Sequence, residues 1–412
     1  MTWMYLNIWD QTEQIRQEGW QSDPASLYRA FEQVKDGRKD RGKRYPLALI
    51  LTLLFLGKMA GEKKISGIVD WVRERKSELK QQLHWPKDFP VPSTYTDALA
   101  KCDGKELAEV IAQVLLRARA EEHCAGDPNR LQQELWQEEK LIHTAMDGKT
   151  LRGTLGHGSQ EQPGVHLLSF YECESGIVLT QETVNKKENE ISAATAFLQP
   201  LLVKGRIIST DAMHTQKKWC AGVHAYGGYY LVTVKENQPG VREDLQDFFE
   251  DKQADKSDWH DEKIPQKKHG RIEVREIWTS MQMNAWFERE WAGIAQVFRI
   301  RRCAKKREKE REEIIYGMTN LPRSKASAAR LLHLNQQHWH IENRLHYRRD
   351  VALDEDHCQV RVKGAPEALA ALNGGVLALM DYLGVSNVAK QMRHFCAHPH
   401  EALHLLLGKL SR

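Results

Sequence analysis

The sequence predicts an α/β protein in which a helical N-terminal region precedes a mixed sheet, with a β-rich stretch inserted before the chain turns helical again. Three observations carry this. Up to about residue 135, apolar residues recur at helical spacing, as Ile65, Ile68, Val69 and Val72 do at i, i+3, i+4 and i+7. From residue 141, short strand-like runs bounded by Gly or polar turns take over. Those runs then alternate with helix-like segments, the pattern of helices packed on a mixed sheet.

Element by element, the apolar run PLALILTLLFLG (46–57) and ELAEVIAQVLLRARA (106–120) read as helices, and FPVPSTYTD (89–97), with its two prolines, as a connecting turn. The Gln/Glu-rich LQQELWQEEK (131–140) leads out of the region. LIHTAMD (141–147), VHLLSFYE (165–172) and GIVLTQETV (176–184) read as strands. NEISAATAFLQPLL (189–202) reads as one helix capped by Asn189, followed by strand RIISTDA (206–212), helix KKWCAGVHAY (217–226) and strand GYYLVTVKE (228–236). GRIEVREIWTS (270–280), AQVFRIRR (295–302) and EEIIYGMTN (312–320) make 237–322 a β-rich insertion, and helix-favouring sequence resumes at 324. The expected divisions are 1–135, 136–236, 237–322 and 323–412.

Sixty basic against 56 acidic residues leave a net charge of +4 in 412 residues, too little for a uniformly basic nucleic-acid coat. With 41% apolar and 28% charged residues the composition is that of an ordinary globular protein, which excludes whole-chain disorder, collagen and coiled coil. Seven scattered cysteines without a C-x-x-C argue against a disulfide framework and for a reducing compartment. The 46–57 run falls short of the roughly 20 residues of a membrane span, and it lies too deep in the chain for a signal peptide. The expected location is cytoplasmic.

Three acids stand out. Asp147 ends an apolar run and is followed by GKTLRG, Asp211 ends RIIST, and Glu342 lies inside the helical HWHIENRLHY. Carboxylates at strand ends collect at the edge where α/β sites form, and hard divalent cations take such oxygen ligands together with substrate phosphates. From spacing alone, an aspartate after a strand is most often a turn residue. Counted on a straight helix, Arg349 falls 20° from the face of Glu342, Asp350 falls 80° off and Asp356 40° off; Asp350, Asp354, Glu355 and Asp356 read as solvated or capping acids, with a reserve ligand role as the alternative.

The wording around the acids is more specific. MDGKTLRG (146–153), STDAMHTQKK (209–218), YYLVTVKENQP (229–239), HGRIEVRE (269–276) and HWHIENRLHYRRDVALDED (338–356) follow one another in that order. Together they resemble insertion-sequence DDE transposases of the H-repeat-associated (ISAs-type) family. DGRKDRGKRYPLALILTLLFLGKMAG (36–61) and VPSTYTDALAKCD (91–103) look like that family's N-terminal associated region. The resemblance implies a ribonuclease-H-like core whose metal-binding catalytic acids are Asp147, Asp211 and Glu342, with the β-rich insertion between the second and third. It implies Mg²⁺, for which Mn²⁺ substitutes, as cofactor, and double-stranded DNA (terminal inverted repeats and target) as partner. It further implies a homodimer on DNA, nucleoid association, and cleavage at the element end followed by attack of the freed 3′-hydroxyl on target DNA. Phosphate contacts are expected from Lys149, Arg152, Lys235, Asn237 and Arg349. The alternative is a decayed or domesticated transposase that only binds DNA.

The sequence departs from the family pattern at Tyr347, where tryptophan is usual, at Arg349-Asp350-Val351 in place of Leu-Asp-Val, and at Lys187-Glu188-Asn189-Glu190 in place of Lys-Ser-Asn-Glu. RIRRCAKKREKER (299–311) reads as a hairpin with a charged tip that also suits DNA backbone, and KDGRKDRGKR (35–44) equally as a solvated loop or a DNA-gripping arm. His394, His398, His400 and His404 lack a zinc-finger spacing. His338, His340 and His346 flank Glu342, as DNA contacts or helix caps, and Trp339 is expected in the core.

Overall fold

The computed structural model describes residues 23–40, 43–124, 141–155, 164–184, 190–268, 271–306 and 309–410. Among the described residues, nine strands form one continuous sheet in the order β3-β2-β1-β4-β5-β9-β8-β7-β6. They are β1 (Ile142–Thr150), β2 (His166–Glu172), β3 (Ile177–Val184), β4 (Arg206–Thr210), β5 (Tyr229–Val234), β6 (His260–Lys268), β7 (Arg271–Ser280), β8 (Gln296–Lys306) and β9 (Lys309–Thr319). The β1–β2–β3 meander is antiparallel, β1, β4 and β5 run parallel, and β9 returns antiparallel to β5. The strands of the predicted insertion are therefore hydrogen-bonded into the sheet through β9.

One face of the sheet carries the N-terminal helices and the long helix Ala365–Tyr382; Met146, Phe170 and Val232 share a single core with Leu54, Ile111 and Leu372. Every residue of helix Leu47–Met59 is buried, as expected of a helix that is apolar all round. Helix Ala365–Tyr382 passes so close that a Cβ on Gly375 would meet Phe55 and Ile111 at 3.0 Å. The other face is covered by helix Ala328–His338, whose Leu331, Leu332 and Leu334 pack on Ile207, Leu231 and Phe298.

The Ile65–Glu74 and Gly104–Cys124 helices match the sequence reading, with Ile68, Val69 and Val72 buried. Four readings need correction. Residues 92–97 of the turn expected over 89–97 belong to helix Pro92–Leu99, because a proline at the first helical position starts a helix rather than breaking one. The single helix expected over 189–202 is two, Glu190–Ala196 and Pro200–Val203, divided at Pro200. Two elements in 237–322 were unforeseen: helix Pro239–Glu250 and strand β6. The β6 sequence HDEKIPQKK hides its nature because it is the outermost strand, where lysine and proline blunt an open edge. Asn189, Lys187, Glu188 and the stretch 131–140 lie outside the described residues. No helix among the described residues is long and apolar enough to cross a membrane.

Candidate active site

Strand β1 points His143, Ala145, Asp147 and Lys149 to one face, by the alternation of side chains along a strand. That face meets the helical arm 328–353 in step. His143 reaches Gln337, Ala145 packs with Ile341 and Leu345, Asp147 approaches His346, and Lys149 pairs with Asp350. Six strand residues advance about 20 Å and thirteen helical residues about the same, so the two elements stay in register over the site. Keeping step requires one five-residue interval, from Ile341 to His346, and there the arm becomes a π-helix in which the Tyr347 N–H donates to the Glu342 carbonyl. Such single wide turns recur at functional sites.

Asp147 does not end its strand. β1 continues to Thr150 along β2, with Asp147 paired opposite Ser169. What ends there is the parallel ladder with β4: its last pair is Met146 with Thr210, and the next residue on each strand is an aspartate, Asp147 and Asp211. Asp211 caps a short 3-10 turn and accepts from the Ala212 N–H at 2.7 Å. Glu342 Oε2 lies 3.1 Å from His346 Nδ1, which is in turn 3.6 Å from Asp147 Oδ2. Asp147, Glu342 and His346 thus bring ligand atoms within 4.8 Å of one another. Asp211 stands outside that group, with Lys235 Nζ 3.7 Å from its carboxylate.

Electrostatics separate the acids. Burial raises the pKa of Asp147, reinforced by the charges of Glu342 and Asp211 and opposed by His346 and the Gly148 N–H. The hydrogen bond from His346 lowers that of Glu342. Carboxylates crowded in this way, one of them reluctant to ionise, form a donor set that suits a hard divalent cation, with the buried His346 steering Glu342 from behind.

The expected DNA contacts divide. Arg152 and Lys235 are exposed, Arg152 within 3.6 Å of Asp356. Lys149 is buried, with Nζ 2.7 Å from Asp350 and 3.5 Å from Asp356. Asn237 donates to the Ala212 carbonyl at 2.6 Å and so braces the turn after Asp211. Arg349 is corrected outright. It is wholly buried, 2.8 Å from Glu355, because the π-turn breaks the 100°-per-residue count that placed it beside Glu342. Trp339, expected in the core, is 54% exposed. Arg38 of the basic arm is buried against Asp36, and Arg301 and Arg302 of the hairpin pair with Glu273, Glu276 and glutamates of β9.

The sequence offers His346 only as a DNA contact or helix cap, although its i+4 spacing from Glu342 is the signal that makes it a partner. A second convergent group, His394, His398 and Glu401, is accounted for internally: His394 bonds Glu401 at 2.8 Å and His398 donates to the His394 carbonyl.

Comparison with known proteins decides the family. The Transposase DDE domain matches residues 138–372, and the DDE_Tnp_1-associated region matches 28–114. The chain belongs to the DDE transposase family. This transposase is 26% identical to the putative protein YbfL of Escherichia coli K12, over 82% of its own length and 86% of the relative's. It is 31% identical to the H repeat-associated putative transposase YhhI of the same organism, over 55% of the chain and 61% of that relative. The cryo-EM structure of a piggyBac transposase synaptic complex with hairpin DNA overlaps 93% of the chain at 11% identity, with a TM-score of 0.42, too loose a likeness to carry an argument. As a DDE transposase the protein is an enzyme that acts on DNA, and its described acids include a group fit for a metal ion.

Proposed function

We propose that this transposase cuts DNA at the ends of an insertion sequence and joins the freed 3′-hydroxyl to target DNA, with Asp147, Asp211 and Glu342 as its metal-holding acids. The observation that carries the reading is the convergence at one sheet edge: two aspartates one residue past the β1–β4 ladder, and a glutamate brought to the first of them through His346. The order β3-β2-β1-β4-β5, antiparallel then parallel, supports a ribonuclease-H-like core. Asp147, Asp211 and Glu342 would hold divalent magnesium, which would supply charge neutralisation at the scissile phosphate and favour ionisation of the attacking hydroxyl. The chain's own residues set the geometry: His346 orients Glu342, the Asn237-braced turn fixes Asp211, and Lys149 ties β1 to the arm through Asp350. In-line alignment and charge neutralisation are what phosphoryl transfer requires of a protein.

Two element ends need two subunits, so the working form is a dimer on DNA. Exposed Arg152 and Lys235 contact phosphate. Alanine at either is expected to weaken binding alike for all sequences and to reduce the magnitude of the salt slope by about one, read from binding isotherms at several salt concentrations. A slope unchanged in both variants would remove them from the DNA path. The reading as a whole is tested by incubating the full chain with a duplex carrying the element end, with Mg²⁺ or with chelator. Metal-dependent 3′-hydroxyl ends and joined products are expected; binding without cutting under either condition would favour the repressor alternative.

A further inference from the structure

A buried polar chain lies just upstream of all three acids. His143 on β1 is four residues before Asp147, Ser209 on β4 is two before Asp211, and Gln337-His338 end the helix four to five residues before Glu342. His143 Nε2 is 2.7 Å from Ser209 Oγ, Ser209 Oγ is 3.0 Å from His338 Nδ1, and His143 Nδ1 is 3.3 Å from the Gln337 amide oxygen. His143 and Ser209 are buried, at 4% and 2% exposure.

We infer that this chain is a bracket that holds the three acid-bearing elements in register, making His143, Ser209, Gln337 and His338 positioning residues for DNA cleavage. The inference rests on the assignment of Asp147, Asp211 and Glu342 above.

Chemistry fixes the direction of every bond. Burial pushes the pKa of His143 down to about 3 and that of His338 down to about 4, so both rings are neutral at neutral pH and each carries one N–H. An amide oxygen only accepts, so His143 Nδ1 donates to Gln337 and its Nε2 must accept. Ser209 Oγ therefore donates to His143 and accepts from His338 Nδ1–H. The loop closes on adjacent residues of the arm with every participating atom satisfied, and such complete buried networks specify one arrangement of the elements they join. Since β4 supplies the central hydroxyl, the arm cannot slide along β1 without also breaking its bond to the strand that leads into Asp211.

The test is Ser209→Ala in the full chain, with Thr210→Val as control. Thr210 is the next residue on the same strand, and its buried hydroxyl has no hydrogen-bond partner. Three quantities are measured: Mn²⁺ affinity without DNA, Mg²⁺ dependence of cleavage, and DNA affinity. Ser209→Ala is expected to weaken Mn²⁺ binding and raise the half-saturating Mg²⁺ concentration by about tenfold or more, the scale on which loss of a group that orients metal ligands registers. DNA affinity should be unchanged, Thr210→Val should behave as wild type, and Ser209→Thr, which keeps the hydroxyl, should recover metal affinity. If Ser209→Ala does not fold, Gln337→Leu, which breaks the far end of the loop, is to show the same metal defect. Wild-type metal dependence in these variants, or equal loss in Thr210→Val, would overturn the bracket. Failure of the underlying assignment shows itself separately, as Asp147→Asn binding Mn²⁺ like wild type.

Discussion

Asparagine at Asp147 is expected to reduce DNA cleavage about a thousandfold or more while raising the melting temperature of the metal-free protein. The first effect follows from removing a proposed ligand of a cation that would supply several kcal/mol to a phosphoryl-transfer transition state, at about 1.4 kcal/mol per tenfold. The second follows from the sign of the pKa shift. Burial, with Glu342 and Asp211 nearby, raises the Asp147 pKa above its unfolded value of 3.8. The folded state then holds the proton more tightly than the unfolded state, so stability falls as pH rises through the interval between the two values and stays lower above it. At neutral pH the wild type carries that penalty and the neutral amide does not. Melting curves without metal check the claim, and Mg²⁺ should raise the wild-type melting temperature more than the variant's. A variant less stable than wild type in the absence of metal would mean that Asp147 is satisfied by His346 and not poised for a cation.

The second large effect is structural. Arg349→Leu is expected to cost about 3–5 kcal/mol in denaturant unfolding, because it leaves Glu355 as an uncompensated buried charge. Glu355 is 4% exposed and its other oxygen accepts from Asn373 at 2.8 Å. Replacing both partners, Arg349→Leu with Glu355→Leu, should be less damaging than the single change, since paired buried ions are often no more stabilising than apolar residues of similar size. Arginine at a position where the family has leucine is thus absorbed into the core by a carboxylate six residues on. It gives no support to the decayed-transposase alternative. Equal stability of Arg349→Leu and wild type would contradict this.

How much of this was legible in the sequence differs from residue to residue. The β1–β5 strands were, because each is a short and largely buried run bounded by Gly or polar turns. The acids were named through the resemblance, and local pattern places only Asp211 directly after a strand. The π-turn was not legible: IENRLH has ordinary helix-compatible composition, and the wide turn arises from keeping step with β1, a tertiary demand. The straight-helix count from Glu342 to Arg349 failed for that reason. The Arg349–Glu355 pair was hidden too, since it depends on a reversal at Asp354, which adopts left-handed φ 57° and folds the following 3-10 turn back under the arm. Trp339 was misplaced because a large apolar residue is no guarantee of burial; it sits on the solvent side with Asn343 and Tyr347.

Asp211 is the sharpest test of the central claim, since it belongs to the proposed triad yet stands outside the group formed by Asp147, Glu342 and His346. The measurement is cleavage and strand transfer on the element's own end with Mg²⁺, comparing wild type with Asp211→Ala at equal DNA occupancy. The account predicts metal-dependent cut and joined products from wild type, and neither from the variant although it still binds. An Asp211→Ala protein that cuts and joins at a rate near wild type would contradict it.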